Sequence, residues 1–347
     1  MSLEHETRFH SMGSEIRLLI GAPLLAGAKA PEWAARDARA YVESFAARLS
    51  RFREDSELSK LNCDPRPWVP ASLLLRTAVS AGIWAARRSG GLVDPTLLGA
   101  LRDAGYSHSL DRSPPASLRD ALEQAPQRSP ARADPRERWK HISMTEHDGH
   151  GTICRRPGIM LDTGGTGKGL CADALAHRLA GYTRFVVDCG GDIAVGGVGA
   201  QLEPYVVEVE HPLTGETICE LALTGGGVAT SGLNIRVWRT PDGGYAHHLI
   251  DPASGRPAWT GLVGATALAP STLEAETLSK MALLLGPAGA REVLAGHGGL
   301  IVHDDGEVEM LGAFPAPSQP SGLGAFTIEL ASPPRPLEQG AAGRRQA

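Results

Sequence analysis

Apolar positions between residues 31 and 49 recur at Trp33, Ala40, Tyr41, Phe45 and Leu49, roughly one face of a helix. Pro31 stands where a first helical residue tolerates a missing N–H, so a helix is predicted over 31–49. A second is predicted over 71–88, stopped by Gly90-Gly91. Upstream, Glu15 to Ile20 reads as a first strand followed by a turn, and residues 50–62 read as a loop. From about Trp139 the pattern shortens to that of strands, predicted at 139–144, 152–154, 158–161, 184–188, 204–210 and 217–223. A glycine-dense loop at 161–169 opens a helix that runs to about Gly181. Beyond it come Val228-Ala-Thr-Ser231, a hairpin-like stretch over 234–250, helices over 273–285 and 287–296, and paired strands at 299–303 and 307–311. Strands and helices mixed without strict βαβ alternation predict an α+β fold, with mixed or antiparallel sheets flanked by helices. Residues 107–138, rich in Ser, Pro, Arg and Asp, read as a variable surface excursion, and 331–347 as a disordered tail.

A chain of 347 residues with 42% hydrophobic content is long enough for two domains or one large duplicated one. The net charge of −5 offers no basic field and argues against nucleic acid as a partner. Five cysteines without C-x-x-C spacing read as reduced structural thiols of a cytoplasmic protein. The stretch from Arg17 to Ala30 has the basic flank, apolar run and Ala-Lys-Ala ending of a signal peptide. Pro23 interrupts that run, which is far short of the roughly 20 residues of a spanning helix, so neither a signal peptide nor a membrane span is expected.

The densest chemistry is Leu161-Asp-Thr-Gly-Gly-Thr-Gly-Lys-Gly169. Glycines let a backbone approach an anion at a helix N-terminus, and Lys168 adds a point charge. It is not a P-loop, which needs Gly where Asp162 stands and Ser or Thr where Gly169 stands. Ligand loop and tight structural turn both remain open from these residues alone. Asp188-Cys-Gly-Gly-Asp192 is either a close ligand approach or a strand-end turn, and Ser231 either contacts a phosphate or caps a turn. In His247-His-Leu-Ile-Asp-Pro-Ala-Ser-Gly255, Asp251 has turn chemistry. Adjacent histidines point to opposite faces of a strand, so at most one enters a single pocket; His248 is the candidate to bind phosphate or move a proton. On the later helix Glu276, Ser279 and Lys280 share a face, as a site or as an ordinary solvated ion pair.

Taken in order, these segments resemble the ApbE family, flavin transferases that use FAD to attach FMN to a threonine or serine of a target protein. The likeness runs through Met12-Gly-Ser14, Ser50-Arg-Phe-Arg-Glu-Asp-Ser-Glu-Leu58, Asp94-Pro-Thr96, Asp162-Thr-Gly-Gly-Thr-Gly-Lys-Gly169, Gly190-Gly-Asp192, Thr230-Ser-Gly232, His248-Leu-Ile-Asp-Pro-Ala-Ser-Gly255 and the 274–286 helix. It implies one two-lobed domain over 12–330, related to the T-fold, with FAD in the inter-lobe cleft. It implies Met12, Phe52, Gly105 and Tyr106 around the rings, and Asp162, Lys168 and Ser231 on ribose, ribityl or phosphate. Gly190, Gly191, Asp192 and His248 would line the same pocket. The resemblance assigns no general base; His248 is the candidate, with Asp251 as its candidate orienting partner. A target hydroxyl would attack the FMN-side phosphorus and AMP would leave; with water as acceptor the same site would split FAD. The resemblance also implies magnesium at Gly165, Glu276 and Ser279. The chain departs here: Glu276 replaces an aspartate, and Lys280 stands where a threonine ligand belongs. An ammonium has no acceptor for a metal. Either Lys280 swings away from a weakened magnesium site, or it pairs with Glu276 and itself supplies positive charge, or the chain binds flavin without transferring it.

Overall fold

The computed structural model describes residues 4–110, 115–147 and 150–314, so the expected tail at 331–347 lies outside the described residues. Its main sheet is built in chain order: β1 (His5–Ser11), β2 (Ser14–Ile20), β3 (Phe185–Cys189), β4 (Asp192–Gly196), β5 (Gly226–Gly232), β6 (Leu262–Ala269), β7 (Gly299–His303) and β8 (Val308–Leu311). Every neighbouring pair is antiparallel. The long insertions between these strands carry the helices. These are α1 (Pro31–Leu49), α2 (Glu57–Cys63), α3 (Leu73–Arg88), α4 (Leu98–Asp103), α5 (Leu118–Gln124), α6 (Gly167–Leu179) and α7 (Thr272–Leu294).

Alternation along the central strands divides the interior in two. Phe185, Val187, Cys189 and Ala194 join the core formed with α1, α3 and α6. Their neighbours Val186, Ile193 and Val195 join the core that contains Leu278, Ala282 and Leu283 of α7. The β3–β4 hairpin is shared between these two cores.

Several local readings shift. β1 was not expected; it pairs with β2 through a two-residue turn in which Met12 and Gly13 have φ of 52° and 71°. Two consecutive positive φ angles suit a hairpin's twist, yet a methionine in the left-handed region costs about 1–3 kcal/mol. The 50–62 loop contains α2, started by Ser56, whose hydroxyl accepts the Ser59 N–H. Residues 158–161 are irregular instead of a strand, because Leu161 is bound at both its N–H and its carbonyl by the side chain of Asn62. The 139–144 segment begins as a 3₁₀ turn over Arg138–His141, and its strand starts at Ser143. The 107–138 segment is not wholly a surface excursion, since Leu118, Ala121 and Ala131 are buried in the larger core. The two helices expected over 273–296 are halves of α7, broken at Gly286 with φ of 72° before Pro287. Among the described residues no helix is long and apolar enough to cross a membrane.

Where α6 crosses the start of α7, Asp173 accepts the N–H groups of Thr272 at 2.7 Å and Leu273 at 2.9 Å, satisfying donors that a helix start leaves unpaired. Ser271 caps the same end through the Glu274 N–H. Gly169 is the contact point: a Cβ there would stand 2.8 Å from Leu273 Cα and 2.8 Å from the Thr272 carbonyl. Those atoms are backbone and cannot rotate away. Gly169→Ala is therefore expected to lower unfolding free energy by about 1–3 kcal/mol in urea titrations. Gly181→Ala, where nothing lies within 4 Å of the added Cβ, is expected to stay within about 0.5 kcal/mol of the parent. Equal effects at the two positions would contradict the close crossing.

The strand over Tyr245–His247 ends in a fully buried histidine. The His247 ring stands edge-on to Trp259 at 4.5 Å between centroids, and its Nδ1 accepts the Leu249 N–H at 3.2 Å. Burial lowers its pKa from 6.5 to about 3, so it is neutral at pH 7. The unfolded chain takes up this proton near pH 6.5 and the folded chain only near 3, so the stabilisation is complete above 6.5 and is lost as pH falls through that window. One such group gives a slope of about 1.4 kcal/mol per pH unit. His247→Gln is expected to flatten the stability–pH curve by about one proton over this window, measured by urea unfolding at a series of pH values. An unchanged slope would contradict a buried neutral imidazole.

Candidate functional site

A cleft of about 1130 Å³ is lined by residues of both cores. Its lining includes Met12, Phe52, Tyr106, Asp162, Gly165, Lys168, Gly190, Ser231, His248 and Lys280, drawn from segments far apart in sequence. The 161–169 loop forms one wall, and its last residues open α6 toward the cavity. Thr166 and Gly167 donate back to the Thr163 carbonyl, so the glycines give a turn tight enough to aim the helix start.

Two ion pairs form the polar end, each resting on a buried carboxylate, with the Lys168 side chain 24% exposed and that of Lys280 10%. Lys168 Nζ lies 2.8 Å from Asp192 Oδ2 and donates to the Gly190 carbonyl at 3.3 Å. Burial works against the Lys168 ammonium, but Asp192 and then Glu276 outweigh it and raise its pKa. Lys280 Nζ lies 2.8 Å from Glu276 Oε1, while Glu276 Oε2 accepts the Gly169 N–H at 2.9 Å. Burial pushes the Glu276 carboxyl up, opposed chiefly by Lys280. Glu276 and Ser279 sit behind the lining, both at 0% exposure; Ser279 Oγ is 2.8 Å from Ser231 Oγ and donates to the Glu276 carbonyl. The solvated-pair reading of Glu276 and Lys280 is therefore excluded.

Gly190 has φ of +69° and would put a Cβ 2.3 Å from Ser14 Cβ, so the β3–β4 turn can close against the β1–β2 turn only with glycine. Gly191 and Asp192 lie outside the lining surface: Gly191 donates its N–H to Asp188, and Asp192 serves through Lys168. Gly105 also lies outside it, and a Cβ there would approach Trp238 Nε1 to 3.1 Å, a structural need.

The other end of the cleft is aromatic. The Arg51 guanidinium lies 4.2 Å from the Phe52 ring centroid and 4.3 Å from that of Tyr106, and Tyr106 meets Trp238 at 5.2 Å. Arg51 also faces Asp162 at 3.3 Å, and burial raises the Asp162 carboxyl against that partner. Arg236 donates to the Tyr106 hydroxyl. Arg51 and Arg236 were not singled out from the sequence, although Arg51 stands beside Phe52 in a quoted segment. Asp94 is a buried carboxyl at the lining; it accepts the Thr96 N–H at 2.7 Å, and burial raises its pKa.

His248 follows the Tyr245–His247 strand and turns into the cleft, whereas His247 is a core residue. Its Nδ1 is buried without a hydrogen-bond partner among the described residues. Burial, then Arg236, His247 and Lys280, hold its pKa well below 6.5, which leaves a neutral ring. The pairing expected with Asp251 is not formed. That carboxylate accepts the Arg132 N–H at 2.8 Å and the Ala253 N–H at 3.3 Å, which is turn chemistry.

The residues present do not fit magnesium. Both Glu276 oxygens already have donors, Ser279 is hydrogen-bonded on two sides, and no group of three His, Cys, Asp or Glu suited to a metal exists among the described residues. A divalent ion about 4 Å from the Lys280 ammonium would meet a repulsion of roughly 8 kcal/mol at an effective dielectric of ~20.

The chain is 29% identical over 262 residues to the FAD:protein FMN transferase of Salmonella typhimurium, covering 72% of this chain and 70% of that protein. It is 27% identical over 260 residues to the enzyme of the same name from Escherichia coli, with the same coverage of 72% and 70%. Among solved structures, the ApbE protein of Thermotoga maritima superposes with a TM-score of 0.71 at 23% identity, over 89% of this chain and 97% of that one. The flavin transferase ApbE of Vibrio cholerae gives 0.69 at 21% identity, over 90% and 99%. The sequence profile of the ApbE family matches residues 12–302, and the chain belongs to that family.

Proposed function

We propose that this protein moves FMN from FAD to a threonine or serine hydroxyl of an acceptor protein, releasing AMP. The observation that carries the reading is one cleft with two chemically distinct ends: arginine-stacked aromatics at one, and a glycine-lined helix start with two ammonium groups at the other. Its volume of about 1130 Å³ exceeds the roughly 300–1,000 Å³ of ordinary small-ligand pockets and suits a dinucleotide.

In this reading Phe52, Tyr106 and Met12 pack against the rings, and the Arg51–Asp162 pair holds the aromatic wall in place. Lys168 and the start of α6 meet the diphosphate. The acceptor oxygen forms a bond to the FMN-side phosphorus as the bond from that phosphorus to the bridging oxygen breaks, and AMP departs with that electron pair. The hydroxyl proton passes to the neutral ring of His248, which lines the cleft. Catalysis of this kind depends on positioning and on donors aimed at developing charge. The five free cysteines support a reducing, cytoplasmic setting.

Incubation with FAD and a threonine-bearing acceptor domain, followed by mass spectrometry, tests the assignment. An acceptor heavier by one FMN group supports transfer, free FMN with AMP marks a hydrolase instead, and unchanged FAD marks a binder. Lys168→Met is expected to weaken FAD binding by roughly ten- to a hundredfold in flavin-fluorescence titrations, the worth of a hydrogen-bonded charge. Binding within twofold of the parent would contradict a diphosphate at the start of α6.

A further inference from the structure

Lys280 supplies the second ammonium of the polar end, but no step of the transfer has yet used it. Its ammonium is fixed from behind: Glu276 is at 0% exposure, and with Oε2 held by the Gly169 N–H it cannot swing out of the α6–α7 crossing. The Lys280 side chain keeps 10% exposure and lines the cavity beside Lys168, Ser231 and His248. Glu276 is the hydrogen-bond partner it has among the described residues, so an ammonium with three donors keeps two for the cavity. A purely structural i,i+4 pair would gain nothing from lining a polar cavity, and burying such a pair seldom adds stability over an apolar one.

Resting on the flavin-transfer reading, we propose that Lys280 is the resident cation for the diphosphate in this chain, so that FAD binding and FMN transfer proceed without a divalent metal. Lys168 and Lys280 together supply the two positive charges of one divalent ion, each anchored by a carboxylate, Asp192 or Glu276. As the bridging P–O bond breaks, charge grows on phosphoryl oxygens that the free Lys280 donors stabilise, and AMP carries away the electron pair. No co-reactant beyond FAD and the acceptor hydroxyl is required. Glu276 is a positioning residue that aims the ammonium.

The test is flavin-fluorescence titration with FAD after metal removal, in EDTA and again with added magnesium, alongside the transfer assay under both conditions. The parent protein is expected to bind and transfer equally in both, within about twofold. Glu276→Gln with Lys280→Met removes the pair without stranding a buried charge. It is expected to weaken FAD binding in EDTA by roughly ten- to a hundredfold, the worth of a lost charged hydrogen bond. Lys280→Thr, which replaces the ammonium with a hydroxyl oxygen, is expected to lose binding in EDTA and recover it with magnesium. Magnesium-dependent binding by the parent, or undiminished binding by the double variant, would overturn the lysine proposal alone. No FAD binding by the parent in either condition would overturn the flavin reading and this proposal with it.

Discussion

The buried carboxylate of Glu276 is the point on which the α6–α7 crossing and the cleft beside it depend. One oxygen takes the Gly169 N–H in the first turn of α6, and the other takes the Lys280 ammonium one turn along α7. A carboxylate at 0% exposure is costly unless it is paired and hydrogen-bonded; the Lys280 contact within α7 neutralises it, and the Gly169 contact ties α6 to α7 where the helices meet. Asp173 reinforces the same crossing from the α6 side by capping α7. Because α6 is anchored in one core and α7 in the other, fixing this crossing fixes the width of the cleft.

From that junction the polar end of the site follows without further machinery. The α6 start presents its backbone and Lys168 to the cavity, Ser279 holds Ser231 at the end of β5, and Lys280 lines the same cavity. The aromatic end is built around the Arg51 guanidinium, pressed against two rings and tied to the glycine loop through Asp162. The left-handed Met12 between β1 and β2 is a strained residue at the cavity wall, where strain of this kind is tolerated for what the side chain then touches.

The fold was legible wherever periodicity was long: α1, α3 and both halves of α7 lie in the expected segments and the strands from 184 to 223 close to their expected places, but the buried face of α1 differs from the expected one, since Trp33 is 59% exposed while Ala34, Ala35, Ala38 and Val42 pack inward with Phe45 and Leu49. β1 was missed because His5–Ser11 is polar and half exposed, so little hydrophobic alternation marks it. Residues 158–161 misled in the opposite sense, since an apolar run there is held by the Asn62 side chain and not by a ladder. In the site, residues that line the cavity through glycine turns were readable from composition. Arg51 and Arg236 were not, because their importance arises from stacking and hydrogen bonding between segments 55 and 130 residues apart. The turn chemistry of Asp251 was legible from Pro and Gly nearby, and the structure keeps it to that task. Lys280 was conspicuous as a departure from the family's pattern; only the packing reveals that it is buried, paired and still open to the cleft.

The central claim is that an ammonium, aimed by Glu276, occupies the place of a metal ion on a bound diphosphate. It is tested most directly by a crystal structure of the protein with FAD grown in excess manganese, read by anomalous scattering. The account predicts a diphosphate oxygen within about 3 Å of Lys280 Nζ, the Glu276 contact retained, and no anomalous peak in the cleft. An anomalous peak beside Glu276, with Lys280 turned away from it, would contradict the account.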